Sequence, residues 1–130
     1  MRCFRCAPPG AACLDGTVGA EIVLYSSGEP GQGSAGGKIV KAVRRRGLSP
    51  ADRAWDFLSI ALSVVTADFA VVRERSPDGW TRELELDIAV TDPAFWSTQS
   101  ASLARARAFL TTDRWTLHFR AGGQPPPPVT

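Results

Sequence analysis

The chain has 130 residues, enough for one hydrophobic core, and its 44% hydrophobic and 22% charged content is that of a folded protein rather than a disordered one. A formal net charge of +2 is too small to announce a dedicated nucleic-acid binder. The most apolar run, 57–72, is broken by Ser59, Ser63, Thr66 and Asp68 and falls short of the roughly 20 residues a spanning helix needs, so no membrane association is expected.

In chain order, residues 1–18 read as an irregular N-terminal segment, because Pro8, Pro9 and Gly10 interrupt any periodicity. Arg2 and Arg5 are not followed by an apolar stretch, so the segment is not a secretory signal. Cys3, Cys6 and Cys13 provide no disulfide framework, and a reducing, cytoplasmic setting is expected. A single domain is expected over 19–121. It opens with a strand around Ile22–Tyr25, a glycine-rich loop over 26–37 and a second strand over 38–43 closed by Arg44, Arg45 and Arg46.

Ser49 and Pro50 then supply an N-cap and a first-turn proline. Ala54, Leu58, Ala61, Val65, Phe69 and Val72 recur at helical spacing, with Asp52, Asp56, Ser59, Ser63 and Thr66 as a narrow polar stripe opposite them. The expectation is a core helix that buries the apolar side. After a turn at 76–79, Leu84, Leu86, Ile88 and Val90 alternate with Glu83, Glu85 and Asp87, which predicts a strand with one wet face. Asp92 and Pro93 start a second helix carrying Trp96, Leu103, Ala106 and Leu110 inside and Arg105 and Arg107 outside. A last strand puts Trp115, Leu117 and Phe119 on one face; joined through a helix, it should run parallel to its predecessor. The predicted fold is α+β: a small mixed sheet in the order β-β-α-β-α-β with two helices on one face. Residues 122–130, with prolines at 125–128, read as an extended tail or linker.

No motif carries a complete chemistry. Cys3 and Cys6 have the spacing of half a zinc site, but only Cys13 and His118 remain to complete four ligands, so no metal is assigned. Gly31, Gly33 and Gly36 match G-x-G-x-x-G literally, yet the flanking strand and helix are not where a pyrophosphate would need them, and no cofactor is assigned. Glu83, Glu85 and Asp87 lie about 7 Å apart along one strand face, too far for one tight cation site, and read as a solvated face paired to Arg114 and Arg120. A novel catalytic site would have to combine these carboxylates with His118. The residues singled out for interaction are Arg44, Arg45, Arg46, Trp80 and Arg82, the arginines as a basic patch that Arg73 and Arg75 could extend toward phosphates.

The runs GLSPADRAWDFLSIALSVVTAD (47–68), SPDGWTRELELDIAV (76–90), DPAFW (92–96) and FLTTDRWTLHF (109–119) resemble the N-terminal domain of QueC-like proteins. These are relatives of 7-cyano-7-deazaguanine synthase from the bacterial antiphage clusters called Qat systems. Members of that family continue into a PP-loop domain that binds ATP through Ser-Gly-Gly-x-Asp-Ser. The nearest string here, Ser26-Ser27-Gly28-Glu29-Pro30-Gly31, lacks the second glycine and the Asp-Ser, so no catalytic residue carries over. The resemblance implies a non-catalytic accessory domain in antiviral defence, contacting a neighbouring protein domain or subunit. The alternative is a small nucleic-acid-binding module working through Arg44–Arg46.

Overall fold

The computed structural model describes residues 2–8, 20–26 and 33–123. It is an α+β domain of five strands, β1 (Arg2–Ala7), β2 (Ala20–Ser26), β3 (Gly33–Gly36), β4 (Glu83–Ala89) and β5 (Arg114–Arg120). Its helices are α1 (Ile39–Arg45), α2 (Asp52–Ala70) and α3 (Pro93–Thr111). The sheet order is β3-β2-β1-β4-β5 and every pairing is parallel, so the expected mixed sheet is corrected to a parallel one.

The N-terminus departs most from expectation. Residues 2–7 are not irregular: they form the central strand, hydrogen-bonded to β2 on one side and β4 on the other. Alternation explains why the segment suits that place. Phe4 and Cys6 point into the core, while Cys3 and Arg5 point to the opposite, polar face. Residues 9–18 lie outside the described residues. A second correction concerns 38–43, which open the short helix α1 rather than a strand. Ile39, Val40 and Val43 are β-branched, but after Gly36, whose φ of +80° suits glycine, the chain turns at 37–38 and continues as helix.

The predicted later elements are present. Asp92 caps α3 by accepting a hydrogen bond from the Phe95 amide at 3.1 Å, with Pro93 in the first turn. β4 and β5 are parallel over seven residue pairs, from Glu83 beside Arg114 to Ala89 beside Arg120. Leu84, Leu86, Ile88, Trp115 and Leu117 join Phe4, Cys6, Ile22 and Leu24 in one core beneath the helices. The proline-rich end is anchored at its start: Gly123 donates to the Val90 carbonyl at 3.3 Å, and a Cβ there would meet Val90 backbone atoms at 2.3–2.7 Å. Residues 124–130 lie outside the described residues.

α2 begins two residues later than the Ser49-Pro50 signal implies, with Ala51 at the N-cap and Asp52 in the first turn. More telling, it is rotated from the expected orientation. Asp56, Ser59, Ile60, Ser63, Val64 and Ala67 face the sheet, while Phe57, Val65 and Phe69 face outward. Specific partners hold the polar stripe inside. Asp56 accepts from the Thr91 amide at 2.9 Å, the Thr91 hydroxyl at 2.7 Å and the Trp96 indole at 3.0 Å. Ser59 shares a 2.7 Å hydrogen bond with the Tyr25 hydroxyl, and Ser63 donates to the Ser59 carbonyl at 2.7 Å. A buried polar group with its bonds made is tolerated, and three such residues on one face outvote the helical hydrophobic pattern.

Candidate functional site

Three arrangements compete for a functional role: the polar face of the sheet, a buried ionic knot, and the outer surface of the helix layer. On the polar face, strand alternation and the parallel register set two rows of groups across β1, β4 and β5. In the first, the Cys3 thiol donates to Glu85 Oε2 at 3.6 Å and His118 Nε2 lies 2.8 Å from Glu85 Oε1. In the second, Asp87 sits between Arg5, with Nε at 4.0 Å, and Arg120, with Nε at 3.3 Å. Glu83 pairs with Arg114 at 3.5 Å. Each carboxylate of β4 thus has a cationic or histidine partner on β5, as a solvated, charge-matched face requires.

The Cys3–Glu85–His118 row brings together the residue types of a thiol nucleophile, but its electrostatics run the wrong way. Burial, and then the charge and hydrogen bond of Glu85, raise the Cys3 pKa, so the unreactive thiol is favoured at neutral pH. His118 is engaged with the carboxylate and is exposed. The C-x-x-C spacing does not make a half-site either. Three residues along a strand reverse the face, so Cys6 lies in the core, its thiol pushed up to about 12 by burial. No group of three or more His, Cys, Asp or Glu residues suited to a metal ion occurs among the described residues.

The ionic knot lies where α2 ends, β4 begins and α3 meets β5. Asp113, with a fully buried side chain, receives Arg73 at 2.8 and 3.1 Å and Arg82 Nε at 3.0 Å. Arg82 also donates to the carbonyls of Asp68 and Val71, both at 2.9 Å, and to the Asp68 carboxylate. Burial opposes ionisation of Asp113, but hydrogen bonds and charge from Arg82, with the charge of Arg73, outweigh it and hold its carboxyl below the usual range. All the donors of Arg82 are spent inside the protein, so this residue, singled out from sequence as an interaction residue, is structural.

The other residues singled out do not form one patch. Arg44, Arg45 and Arg46 close α1 ahead of α2, whereas Arg73, Arg75 and Arg82 surround the opposite end of α2. At α1, the N-cap Lys38 with Lys41 and Arg45 line one shallow pocket with Ala42. Trp80 is exposed on the turn after the knot, its ring 5.4 Å from the Arg73 guanidinium. G-x-G-x-x-G has no phosphate-binding placement: Gly33 and Gly36 lie within β3, and Gly31 lies outside the described residues.

The helix layer carries the least expected surface. Phe57 is 56% exposed, Val65 49%, Phe69 86%, Phe109 86% and Leu110 70%. Phe57, Ala61, Val65 and Phe69 follow one another at four-residue intervals, so they form a single ridge along α2. Between that ridge and α3 runs an apolar groove of about 200 Å³, walled by Phe57, Ala61 and Val65 on one side and Leu103 and Ala106 on the other. Leu117 of β5 lies at its floor. The sequence displays these side chains clearly; what it hides is that the polar stripe of α2 points inward and turns them out. Trp96, the buried residue of α3, has its ring centroid 6.3 Å from those of both Phe57 and Phe119. Compared with known protein families, with curated proteins and with solved structures, the chain matches none.

Proposed function

We propose that this chain is a non-catalytic accessory domain that works by docking a protein partner, resembling the N-terminal module of a QueC-like PP-loop protein of antiphage defence. One observation carries the reading: the outer face of the helix layer presents Phe57, Val65, Phe69, Phe109 and Leu110 to solvent. At 150–250 Å² per aromatic side chain, the three phenylalanines together offer on the order of 400 Å² of exposed apolar surface, comparable with the largest apolar patches of monomeric proteins, which are often functional. The polar sheet face, by contrast, has its charges matched and its thiol disarmed.

The test is copurification with a separately expressed PP-loop polypeptide of the QueC-like family, together with calorimetric titration of ATP and magnesium into the chain alone. Stable association that Phe69→Glu or Phe109→Glu abolishes, with no heat from nucleotide, is the expected result. Micromolar ATP binding by the isolated chain would overturn the non-catalytic assignment. A second reading, phosphate-backbone binding, draws on Lys38 at the N-cap of α1 and on Lys41 and Arg45 within it. It predicts oligonucleotide affinity that collapses with added salt and is lost in Lys41→Ala with Arg45→Ala.

A further inference from the structure

We infer that the hollow at the amino ends of β1 and β4 binds the doubly charged phosphate of a small organic phosphomonoester. It shares no lining residue with the apolar groove between α2 and α3, so this site is independent of the docking function proposed above.

The hollow has a volume of about 230 Å³, and three stretches of chain wall it. Residues 70–72 end α2, residues 75–77 follow the 3-10 turn Arg73–Arg75, and Arg82 and Glu83 lead into β4. Arg2 closes the remaining side. Strand geometry puts it there. Alternation along β1 sends Arg2 to the same side of the sheet as Phe4 and Cys6, the side on which α2 packs, and the register sets Arg2 beside Leu84 of β4.

The charges around the hollow leave two arginines without a partner. Arg73 is bound to Asp113, and all five N–H groups of Arg82 are spent on Asp113, Asp68 and the Val71 carbonyl. The carboxylates are also committed. Glu83 lies 3.5 Å from Arg114, and Asp78 accepts from the amides of Trp80 and Thr81. Glu74 is exposed and does not line the hollow. Arg2 and Arg75 remain. Both are exposed, and neither meets a carboxylate among the described residues; Arg2 has only the Phe4 ring, 5.9 Å from its guanidinium.

The end of a helix ordinarily repels an anion, because its last carbonyls carry partial negative charge. Here Arg82 covers the carbonyls of Asp68 and Val71, both at 2.9 Å, and removes that obstacle. Two guanidinium groups bind phosphate oxygens through paired N–H donors, and the Ser76 hydroxyl adds a third polar group to the lining. Two uncompensated cations match a monoester, which carries close to two negative charges at neutral pH; the diester of a nucleic-acid backbone carries one. Ala70, Val71, Val72 and Pro77 supply an apolar wall for the organic part.

Three probes titrated into the intact chain at low salt test this: phenyl phosphate, its singly charged methyl ester, and inorganic phosphate. Amide shifts in NMR spectra report binding. Phenyl phosphate should saturate at roughly 10 mM or below, move the amides of residues 70–76 and 83–84, and bind about tenfold tighter than either other probe. Arg75→Ala and Arg2→Ala should each weaken it about fivefold or more, whereas Arg105→Ala, which removes an exposed arginine of α3, should leave it unchanged. Both target arginines are exposed, and near-ultraviolet circular dichroism checks that the variants keep their packing. Equal affinity for the methyl ester, or an equal loss in Arg105→Ala, reduces the effect to general attraction by a basic protein and overturns the inference. Inorganic phosphate binding as tightly as phenyl phosphate overturns the organic ester as ligand. No saturable shift with any probe overturns the site.

Discussion

Asp113 is the buried carboxylate on which Arg73 and Arg82 converge. It receives two arginines and the Arg82 amide, so truncating it strands buried cations rather than merely losing one bond. Asp113→Ala should cost about 3–5 kcal/mol in urea denaturation at neutral pH, the range for breaking a buried ion pair by removing one partner. The pH dependence follows from the depressed carboxyl pKa. Its contribution is fully present above the ordinary aspartate value of about 3.9 and is lost as pH falls through the lower folded value, so stability measured at pH 7, 4 and 2.5 should decline mainly below pH 4. Cysteine reactivity offers a second residue-scale check. Native alkylation followed by peptide mapping should leave Cys6 unmodified at pH 8 and label Cys3 only slowly; Glu85→Gln should speed Cys3, because one of the influences that raise its pKa is removed. The importance of Asp113 was not legible in sequence, since its partners sit 31 and 40 residues away and nothing local distinguishes it from a turn aspartate.

At the scale of the element, α2 separates what a hydrophobic pattern can and cannot say. Helical periodicity located the helix to within two or three residues, and the Asp92-Pro93 signal located α3. The buried side of α2 was misread because Asp56, Ser59 and Ser63 look like a solvent stripe until Thr91, Trp96 and Tyr25 supply their partners from other elements. Periodicity counts apolar residues; it does not see distant donors. The structure predicts an inversion of the usual mutational pattern. Phe69→Glu and Phe109→Glu should change thermal stability by no more than about 0.5 kcal/mol, as surface substitutions do. Asp56→Ala should cost several times that, because the Thr91 amide and the Trp96 indole lose their acceptor in a buried setting, each at about 1–3 kcal/mol. Paired thermal melts of these variants check the inversion directly. Part of the candidate docking face was hidden from the sequence for the same reason: Val65, Phe69 and Leu110 were assigned to the buried sides of their helices.

For the whole molecule, the decisive feature is the position of β1. Sequence reading recovered β2, β4 and β5, the parallel pairing of the last two, and the two helices on one face. It excluded the first strand, because Pro8, Pro9 and Gly10 follow immediately and interrupt any periodicity. In a sheet with one apolar and one polar face, Arg5 belongs to the polar side of the alternation beside Asp87, and Arg2 is exposed at the strand's start. A fragment trimmed to 19–121, the domain boundary the sequence implies, lacks the strand that joins β2 to β4. It should be unfolded by circular dichroism and proton NMR, whereas residues 1–123 should give a dispersed spectrum.

During synthesis, the same placement reverses the order in which parts are made and used. Arg2–Ala7 leave the ribosome well before their second neighbour, β4, which is complete only at Ala89, some 80 residues later. At elongation rates of about 5–20 residues per second the nascent chain waits roughly 4–16 s with Phe4 and Cys6 unpaired. Late in that interval, once α2 has been made, an unsatisfied strand and the apolar ridge of α2 are exposed together. Early chain protection, by a chaperone or by prompt partner engagement, should therefore govern yield more than the stability of the finished fold.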